Sequence, residues 1–514
     1  MPGAGPQDAY DLATWLFLRA LGLVYLAAFA SFAVQARGLI GERGIVPAGR
    51  LLAEAGHGLG GGRPGRPGWR AFFALPTLCW WRADDRSLLA LCAAGIALAL
   101  LVTAGVAQLP ALAALYLLYL SLVSASGVFL GYQWDVLLLE TGFLAIFAAP
   151  LELGLDWPPG PGAHPVARWL LYLLLFRLMI SSGVVKLRSG DPTWRSLTAL
   201  EHHYETQPLP HRGSWWAHRL PRPLQKASTA LMLALELALP LLIFAPPPWR
   251  TGAAAGTALL MLLVLATGNY GFFNLLTLAL CIPLVDDRAW LALAGSIPGS
   301  RPPAVEAGAS GWPLWVLVPV AAVVLALALE RVRALAGFGR FRSPGLRALS
   351  RALEPFRIVN GYGLFAVMTT VRPELRVEGS DDGETWRPYR FRWKPGDPER
   401  PPRWAMPHQP RLDWQMWFEA LRAGRPSAWF TLFLERLLEG RPEVLALLAG
   451  NPFPEAPPRY VRAEIDDYRF TDRRTRRATG RWWQTRRLGS HQPAVTLGPA
   501  GPPAAGGPAP SPGA

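Results

Sequence analysis

Ionisable side chains interrupt several long apolar runs of this chain, and their positions point to buried charge chemistry. Asp135 and Glu140 lie in YQWDVLLLETGFL, Arg177 and Lys186 lie in FRLMISSGVVKL, and Glu236 lies in the middle of another run. A charged side chain at the centre of a bilayer costs about 2.5 to 3.5 kcal/mol, so such residues usually face the interior of a helix bundle. The sequence therefore predicts an intramembrane polar cluster of these five residues.

Two arrangements would accommodate these charges. In the first, opposite charges pair and lock the helices together, and Lys186, close to a helix end, can also reach the headgroups. In the second, Asp135, Glu140, Arg177 and Lys186 line a polar cavity at membrane depth. Ser182 precedes Lys186 by four residues and shares its helix face. The residue pattern leaves both arrangements open.

The polar loop 187–226 follows directly and is rich in His, Trp and Arg. Its four histidines are His202, His203, His211 and His218. Adjacent histidines point to different sides of a helix and no HxxxH spacing occurs, so we expect no metal site. Its aromatic and basic residues are typical of an interfacial belt or of a lid over the bundle. The lid candidates are Trp194, His202, His203 and Tyr204.

The apolar runs are the elements that must position these residues, and a helix needs roughly 20 apolar residues to cross a bilayer. The run Leu12 to Ala36 is too long for a signal-peptide core and lacks a basic stretch before it, so we expect a retained first span. Further runs lie at about 86–107, 110–130, 133–151, 167–187, 227–246, 252–268, 270–285 and 312–330. The pattern predicts an α-helical multi-pass membrane bundle of eight or nine spans, depending on whether the chain turns at Gly268 to Gly271.

The change in composition along the chain predicts a membrane bundle followed by a small α+β soluble domain. The expected parts are the N-terminus and first span 1–36, an extramembrane loop 37–85 with a glycine-rich link, the bundle 86–335, the soluble domain 355–487 and a disordered Pro/Gly/Ala-rich tail 488–514. Within the domain we expect strands at 374–378, 385–391 and 460–470 and helices at 414–421 and 429–438. An Asp-Gly pair at Asp382 between the first two strands favours a hairpin.

Composition also excludes several function classes. The formal net charge is +15, but the basic residues are nearly all arginine, which together with 50 Pro and 51 Gly indicates a GC-rich coding bias and a bacterial source. No basic stripe with interleaved aromatics appears, so we expect no nucleic-acid partner. The three cysteines show no CxxC spacing, and no phosphate-cradling glycine loop occurs, so we expect no cofactor. No nucleophile elbow is present, so the chain is not expected to be a lipase itself.

The distribution of basic residues bears on orientation. With nine spans, the loop 37–85, the polar loop 187–226 and the C-terminal domain fall on one face, and these three segments are the basic blocks of the chain. The positive-inside rule would place that face in the cytoplasm.

Five segments of the chain resemble the lipase maturation factor family. They are SFAVQARGLIGERGIVPA, YQWDVLLLETGFLAIF, GVVKLRSGDPTWRSLTALEHHYETQPLPH, GNYGFFNLLTLALCIPLVDD and VNGYGLFAVMTTVRPELRVEGSDDGETWRPYRFRWKPGD, in family order across residues 31–470. In animals this family consists of multi-pass endoplasmic reticulum proteins that help dimeric secreted lipases to fold. The resemblance implies a maturation factor without chemistry of its own, in contact with membrane lipid and with a secreted lipase-like client.

The same resemblance implies a location. It places the protein in the endoplasmic reticulum membrane, or in the cytoplasmic membrane of a bacterium, with the C-terminal domain on the lumenal or extracytoplasmic side. That side is opposite to the one given by the positive-inside rule, and the sequence does not decide between them. Oligomeric state is not predicted.

A second resemblance concerns the pentapeptide GVVKL at Gly183 to Leu187. It is similar to the segment that holds the catalytic lysine of vitamin K-dependent carboxylase, whose membrane domain looks related. This implies an alternative function, a membrane enzyme that uses Lys186 as a catalytic base on a lipid-soluble or peptide substrate. The sequence thus leaves a folding factor and an enzyme as two hypotheses of different classes. A transporter is a third, which the absence of a detectable inverted repeat disfavours.

Overall fold

The computed structural model describes residues 10–58, 68–155, 162–295, 311–339 and 343–497. Most of the predicted glycine-rich link and the part of the predicted tail after residue 497 lie outside these ranges. In chain order the helices of the first part are α1 Asp11–Ala33, α2 Ala36–Ile40, α3 Ala48–Gly58, α4 Trp69–Ala74, α5 Asp85–Ala104, α6 Gln108–Ala125, α7 Gln133–Ala148 and α8 Pro165–Arg188. They are followed by α9 Pro192–Arg195, α10 Ala199–Thr206, α11 Arg212–Ala217, α12 Arg222–Leu237, α13 Pro247–Thr267, α14 Phe273–Cys281, α15 Asp287–Gly295, α16 Leu314–Leu335 and α17 Pro344–Leu353.

Seven helices of the described residues are long and apolar enough to cross a membrane. They are α1, α5, α6, α8, α12 with the 3₁₀ turn that extends it to Phe244, α13 and α16. The two other predicted spans form shorter helices, α7 with 16 residues and α14 with its 3₁₀ extension to Leu284. At 1.5 Å per residue α7 is about 24 Å long. The membrane bundle is confirmed, and the predicted number of spans is reached only if these two shorter helices are included.

Contacts at the helix ends show how the chain alternates between the two ends of the bundle. The backbone N–H of Leu12, at the start of α1, donates to Asp287 Oδ2 over 3.0 Å, whereas Gln35, just after α1, donates from Nε2 to Gln409 O over 2.9 Å. Helix α7 likewise begins beside Arg411 and ends where Trp312 Nε1 donates to Ile146 O. We call the end that contacts the C-terminal domain the domain face and the other end the opposite face.

Both long loops lie at the domain face. The first loop is held there because Arg436 Nε of the C-terminal domain donates to Gly44 O over 3.1 Å. The polar loop is held there because Trp417 Nε1 donates to Thr206 O over 2.8 Å. The two loops and the C-terminal domain therefore share one face, as the sequence predicts.

The outer surface of the bundle is that of a membrane protein. Large aliphatic side chains of its helices are exposed, among them Leu100, Leu117, Leu231, Leu262, Val318 and Leu329. Exposed tryptophans lie at both ends, with Trp249 and Trp315 at the opposite face and Trp216 and Trp404 at the domain face. Extended apolar surface between two aromatic girdles is typical of a lipid-facing surface. The protein is an integral multi-pass membrane protein.

The C-terminal domain contains a four-stranded antiparallel sheet with helices packed beside it. Its helices are α18 Arg411–Ala420, α19 Ala428–Leu438, α20 Pro442–Leu445 and α21 Arg473–Thr479, and its strands are β1 Pro373–Ser380, β2 Arg387–Pro388, β3 Tyr460–Phe470 and β4 Trp483–Val495 in the order β2-β1-β3-β4. The two predicted helices and the strands at β1 and β3 are confirmed. The strand predicted at 385–391 is confined to β2. Tyr389 N–H still donates to Val377 O of β1 over 2.9 Å, but the next residue, Arg390, pairs with Gly450 instead of with β1.

The predicted start of the tail at residue 488 is wrong. Strand β4 continues to Val495 and pairs along β3, with Glu464 opposite Ser490 and Val461 opposite Val495. Most β4 side chains are exposed because the strand lies at the edge of the sheet, so the sequence shows no apolar alternation there. The strand is held by backbone hydrogen bonds and by ion pairs such as Arg487 Nη2 to Glu464 Oε2 at 2.6 Å, and composition does not reveal these contacts.

One continuous hydrophobic core runs through both parts of the molecule. It extends from Phe17 of α1 to Ile465 of β3 without a break between bundle and domain. The three cysteines, Cys79, Cys92 and Cys281, are buried within it as free thiols. The C-terminal domain is therefore packed onto the bundle as part of one folded body.

Candidate functional site

Asp135 joins the bundle to the C-terminal domain. It lies in the first turn of α7, where its carboxylate accepts the backbone N–H of Tyr132 in a capping box. Both carboxylate oxygens are also bound by Arg411 of α18, at 2.6 and 2.7 Å, and Tyr119 Oη donates to Oδ1 at 2.6 Å. Asp135 is fully buried. This bidentate geometry is the strongest form of a carboxylate–guanidinium contact.

Glu140 lies about one and a half turns deeper in α7 and binds a second segment of the C-terminal part. Its Oε1 is 2.5 Å from Arg177 Nη1 of α8. Its Oε2 accepts the backbone N–H of Asn360 at 2.8 Å and the hydroxyl of Tyr362 at 2.6 Å. Arg177 donates its other terminal nitrogen to Asn360 O. The buried carboxylate and its guanidinium partner thus both have hydrogen-bond partners. We call Glu140, Arg177, Asn360 and Tyr362 the Glu140 network.

The Glu140 network requires non-helical backbone inside the bundle. The segment 357–365, which precedes the sheet, enters between α7 and α8, and Ile358, Val359 and Asn360 are buried there. Irregular backbone at membrane depth is tolerated only where protein groups satisfy it. Here Glu140 accepts from Asn360 N, and Gln133 Oε1 accepts from Gly363 N at 3.1 Å.

Lys186 and Glu236 form the third buried pair. Lys186 Nζ near the end of α8 lies 2.7 and 2.8 Å from the two carboxylate oxygens of Glu236 in α12, and it donates to Ser182 O at 3.2 Å. The pair borders a cavity of about 90 Å³ whose other walls are mainly apolar. The apolar walls come from Leu178, Met179, Met232, Leu260, Met261, Phe273 and Phe365.

The five predicted cluster residues therefore form three separate contacts rather than one polar cavity. Only Lys186 and Glu236 line the cavity, whereas Asp135, Glu140 and Arg177 are engaged elsewhere. Lys186 is 4% exposed and points to Glu236, so its ammonium does not extend to the headgroups.

Two of the four lid candidates close the cavity. Trp194 is buried and donates from Nε1 to the carbonyls of Phe365 and Ala366 at 3.2 Å, with Lys186 Nζ 5.5 Å from its ring centre. His203 Nε2 lies 3.0 Å from the hydroxyl of Tyr270. Burial, together with the charge of Lys186, lowers the pKa of His203 to about 4.

The other two lid candidates lie in α10 without lining the cavity. Tyr204 is buried and packs with Leu200 and Ala217, and the side chain of His202 is partly exposed. Among the described residues, no group of three His, Cys, Asp or Glu side chains is placed to hold a metal ion.

The geometry at Lys186 favours a structural ion pair over a base. A lysine acts as a base through the lone pair of its neutral amine, which must face a proton donor. The two Glu236 oxygens and Ser182 O instead accept from Lys186 Nζ, so all three protons of the ammonium have acceptors. What this arrangement does is hold α8 to α12.

Several residues of these contacts could not be found from residue spacing. Arg411, Asn360 and Tyr362 lie more than 180 residues from their partners. Arg372 is a similar case, because it donates to the carbonyls of Glu205 at 2.8 Å and Pro208 at 2.9 Å and thereby fixes the polar loop to β1. The only signal was that Asn360, Tyr362 and Arg372 lie in the fifth segment that carries the family resemblance.

Comparison with family models covers both parts of the molecule. The model described as the lipase maturation factor transmembrane domain matches residues 12–292, and the one described as the lipase maturation factor C-terminal domain matches residues 358–493. The first match contains the pairs of α7, α8 and α12, and the second begins at the segment that enters the bundle.

Curated relatives align over nearly the whole chain. Lipase maturation factor 2 of Mus musculus is 35% identical over an alignment of 600 residues that covers 94% of this chain and 83% of the mouse protein. Lipase maturation factor 2 of Homo sapiens is 34% identical, with 94% and 82% covered, and lipase maturation factor 1 of Bos taurus is 33% identical, with 94% and 88% covered. No solved structure matches the chain.

Proposed function

Since this chain belongs to the lipase maturation factor family, we propose that it helps an exported lipase, or another exported protein, to reach its mature and active form. The observation that carries this proposal is the continuity of the match. Both family domains are present, and relatives named for lipase maturation align over 94% of the chain. Maturation here means assistance to a client chain by binding, without a covalent step.

The buried charges are consistent with an assisting role. Asp135, Glu140 and Lys186 are each engaged by partners that join helices or domains. These groups therefore hold the C-terminal domain and the polar loop in a fixed position at the domain face. A rigid surface of this kind is what a protein that acts by binding needs, because a preorganised surface loses little freedom when a client binds.

We propose that the domain face is lumenal in an endoplasmic reticulum membrane, or extracytoplasmic in a bacterial cytoplasmic membrane. An exported client folds on that side, so a factor that assists its folding must present its binding surface there. The positive-inside rule favours the reverse orientation, and a topology reporter fused after residue 497 distinguishes the two.

The alternative function, a membrane enzyme with Lys186 as base, gains no support from the geometry. The ammonium is held by Glu236 and by Ser182 O, and the adjoining cavity of about 90 Å³ has room for only a few water-sized groups. The maturation role is therefore the function that the molecule supports best.

The decisive experiment measures the specific activity of exported lipases in a strain that lacks this protein. The strain is complemented with wild type, with Lys186→Ala, or with the double variant Lys186→Met, Glu236→Leu, at matched membrane abundance. We expect lipase protein to be exported but inactive without complementation, and the wild type and the double variant to restore activity. The single Lys186→Ala variant leaves the Glu236 carboxylate buried without its partner, so its abundance is checked first.

The double variant separates the two functions. It removes both charges and retains apolar volume, so a structural pair can be replaced without loss of the bundle. Full rescue by the double variant excludes a base at residue 186. Rescue by wild type alone, at equal abundance, would favour the enzyme hypothesis, and unchanged lipase activity in the deletion strain would overturn the maturation proposal.

A further inference from the structure

A wide groove opens at the domain face where the last turn of a membrane span meets the C-terminal domain. One wall is formed by Leu265 and Ala266 of α13 and by His211 and Arg212 of the polar loop, and the other by the segment 401–404. The groove encloses about 770 Å³, within the range of about 300–1,000 Å³ that small-molecule sites occupy. Because α13 is long and apolar enough to cross a membrane and ends at Thr267, we place the groove at the level of the lipid headgroups.

The wall opposite α13 is held rigidly. Asn269, just after α13, donates from Nδ2 to Arg403 O at 2.8 Å and accepts the backbone N–H of Ala405 at 2.8 Å. Trp404 donates from Nε1 to Met406 O at 3.1 Å, and its ring centre lies 4.7 Å from that of His211. The groove is therefore built by contacts between bundle and domain and is not a gap between independent parts.

Two arginines flank the groove without carboxylate partners. Arg212 and Arg403 are both exposed, and among the described residues neither guanidinium makes an ion pair or donates a hydrogen bond to protein. Of the residues that the structure describes, no aspartate or glutamate lines the groove. The site thus carries two positive charges and attracts a ligand with net negative charge.

The remaining surface of the groove is suited to a ligand that is apolar at one end. Leu265 and Ala266 continue the lipid-facing surface of α13 into the groove, and Trp404 is 50% exposed beside them. Tryptophan at this level is typical of residues that rest among headgroups. A soluble anion would use the arginines but would leave the apolar wall uncovered.

We propose that this groove binds the headgroup of an anionic phospholipid drawn from the surrounding leaflet, with its phosphate between Arg212 and Arg403 and its upper acyl chains along Leu265 and Ala266. The proposal is independent of the maturation role. It assigns the exposed arginines of the groove to lipid recognition, and the bound lipid would fill the space between α13 and the C-terminal domain.

The test uses the purified full chain in neutral detergent, with native mass spectrometry of added phosphatidylglycerol and phosphatidylcholine. We expect the wild type to bind phosphatidylglycerol more tightly. Arg403→Gln should lower the affinity for phosphatidylglycerol about fivefold, because a single basic residue near an anionic lipid surface raises the affinity by about that factor. The double variant Arg212→Gln, Arg403→Gln should lower it about 25-fold if the two contributions add. Affinity for phosphatidylcholine should change little.

Arg390→Gln is the matched control. Arg390 is an exposed arginine that lines a separate cavity of about 800 Å³ beside the sheet, and it does not line the groove. Its substitution should leave phosphatidylglycerol binding unchanged. A loss as large as that of Arg403→Gln, or wild-type affinity in the double groove variant, would overturn the assignment.

A competition arm distinguishes a lipid from a free phosphate. Glycerol phosphate carries the headgroup charge without acyl chains, so we expect it to displace phosphatidylglycerol only weakly. Displacement at concentrations similar to those of the lipid would show a soluble-anion site and contradict the proposal. Trp404→Ala should weaken binding of the lipid and leave binding of glycerol phosphate unchanged.

Discussion

Two buried ion pairs on the same helix, α8, differ in what surrounds them. Arg177 belongs to the Glu140 network, in which the carboxylate also accepts the Asn360 N–H and the Tyr362 hydroxyl. Lys186 has Glu236 and Ser182 O, and beyond them lies a small cavity with mainly apolar walls. The first contact joins three distant segments of the chain, whereas the second joins two neighbouring helices.

This difference separates two uses of buried charge. A buried pair is weak evidence for stability by itself, because desolvation can exceed the attraction between the charges. The Glu140 network has a further role, since it binds the backbone N–H and the carbonyl of Asn360 and so helps the irregular segment 357–365 to lie at membrane depth. The ion pair of Lys186 and Glu236 joins two helices and does not satisfy irregular backbone in the way that Glu140 does. Apolar side chains can therefore replace it.

The largest effect is expected from Glu140→Ala. The substitution leaves the Arg177 guanidinium buried without its carboxylate, and it also removes the acceptor of Asn360 N and of the Tyr362 hydroxyl. Loss of one partner of a buried pair costs about 3–5 kcal/mol. Thermal unfolding of the purified protein should show this loss, and the double variant Glu140→Leu, Arg177→Met should recover little of it. Full recovery by that double variant would contradict the role assigned to the segment 357–365.

A smaller net effect is expected at Lys186. Lys186→Met alone leaves Glu236 buried and should cost about 3 kcal/mol, whereas Lys186→Met with Glu236→Leu should return to within about 1 kcal/mol of wild type. The same unfolding measurement compares both variants with those at Glu140. Equal recovery of stability in the double variants Glu140→Leu, Arg177→Met and Lys186→Met, Glu236→Leu would contradict the difference between the two ion pairs.

Acid should weaken the wall of the Lys186 cavity. Burial lowers the pKa of His203 from 6.5 to about 4, so the unfolded chain binds a proton at a higher pH than the folded protein does. The neutral form of His203 therefore contributes to the free energy of unfolding. That contribution is complete above pH 6.5 and is lost as the pH falls towards 4, by up to about 1.4 kcal/mol for each pH unit. His203→Gln should reduce the slope of unfolding temperature against pH over that range. The exposed His57 of α3 provides the control substitution, and an unchanged slope in His203→Gln would count against the prediction.

The smallest effect is expected at the surface. Arg50 Nε lies 2.9 Å from Glu54 Oε1 on α3, and both side chains are more than half exposed. Exposed pairs contribute about 0–1 kcal/mol, so Glu54→Gln should change stability by less than 0.5 kcal/mol. A larger loss in unfolding measurements would mean that α3 carries contacts that its exposure does not suggest.

The sequence predicted those features that depend on local composition. Apolar length gave the spans, and the alternation around Asp382 gave β1 and the turn that follows it. Edge strand β4 was missed because its stability comes from pairing with β3 rather than from buried side chains. Local sequence patterns predict which side chains are buried. They do not predict which distant strand supplies the backbone hydrogen-bonding partner.

The site was predicted in part for a similar reason. Charges inside apolar runs marked Asp135, Glu140 and Lys186 as buried, which they are. Their partners were not all evident, because Arg411 lies in an amphipathic stretch of the C-terminal domain where an arginine is unremarkable by composition. Pairing across 276 residues is decided by the three-dimensional packing of the two parts.

The segment 357–365 has a consequence for how the protein is made. Helices α7 and α8 are synthesised and delivered to the membrane long before residue 360. The nascent bundle therefore at first lacks the polar partners that the C-terminal part supplies. Gln35, at the end of the first span, lacks its acceptor for longer still, because that acceptor is the carbonyl of Gln409, 374 residues later in the chain. A chain that terminates before residue 411 lacks the guanidinium that pairs with the buried Asp135 carboxylate. The bundle therefore reaches its full set of buried polar contacts only after the C-terminal part has been synthesised.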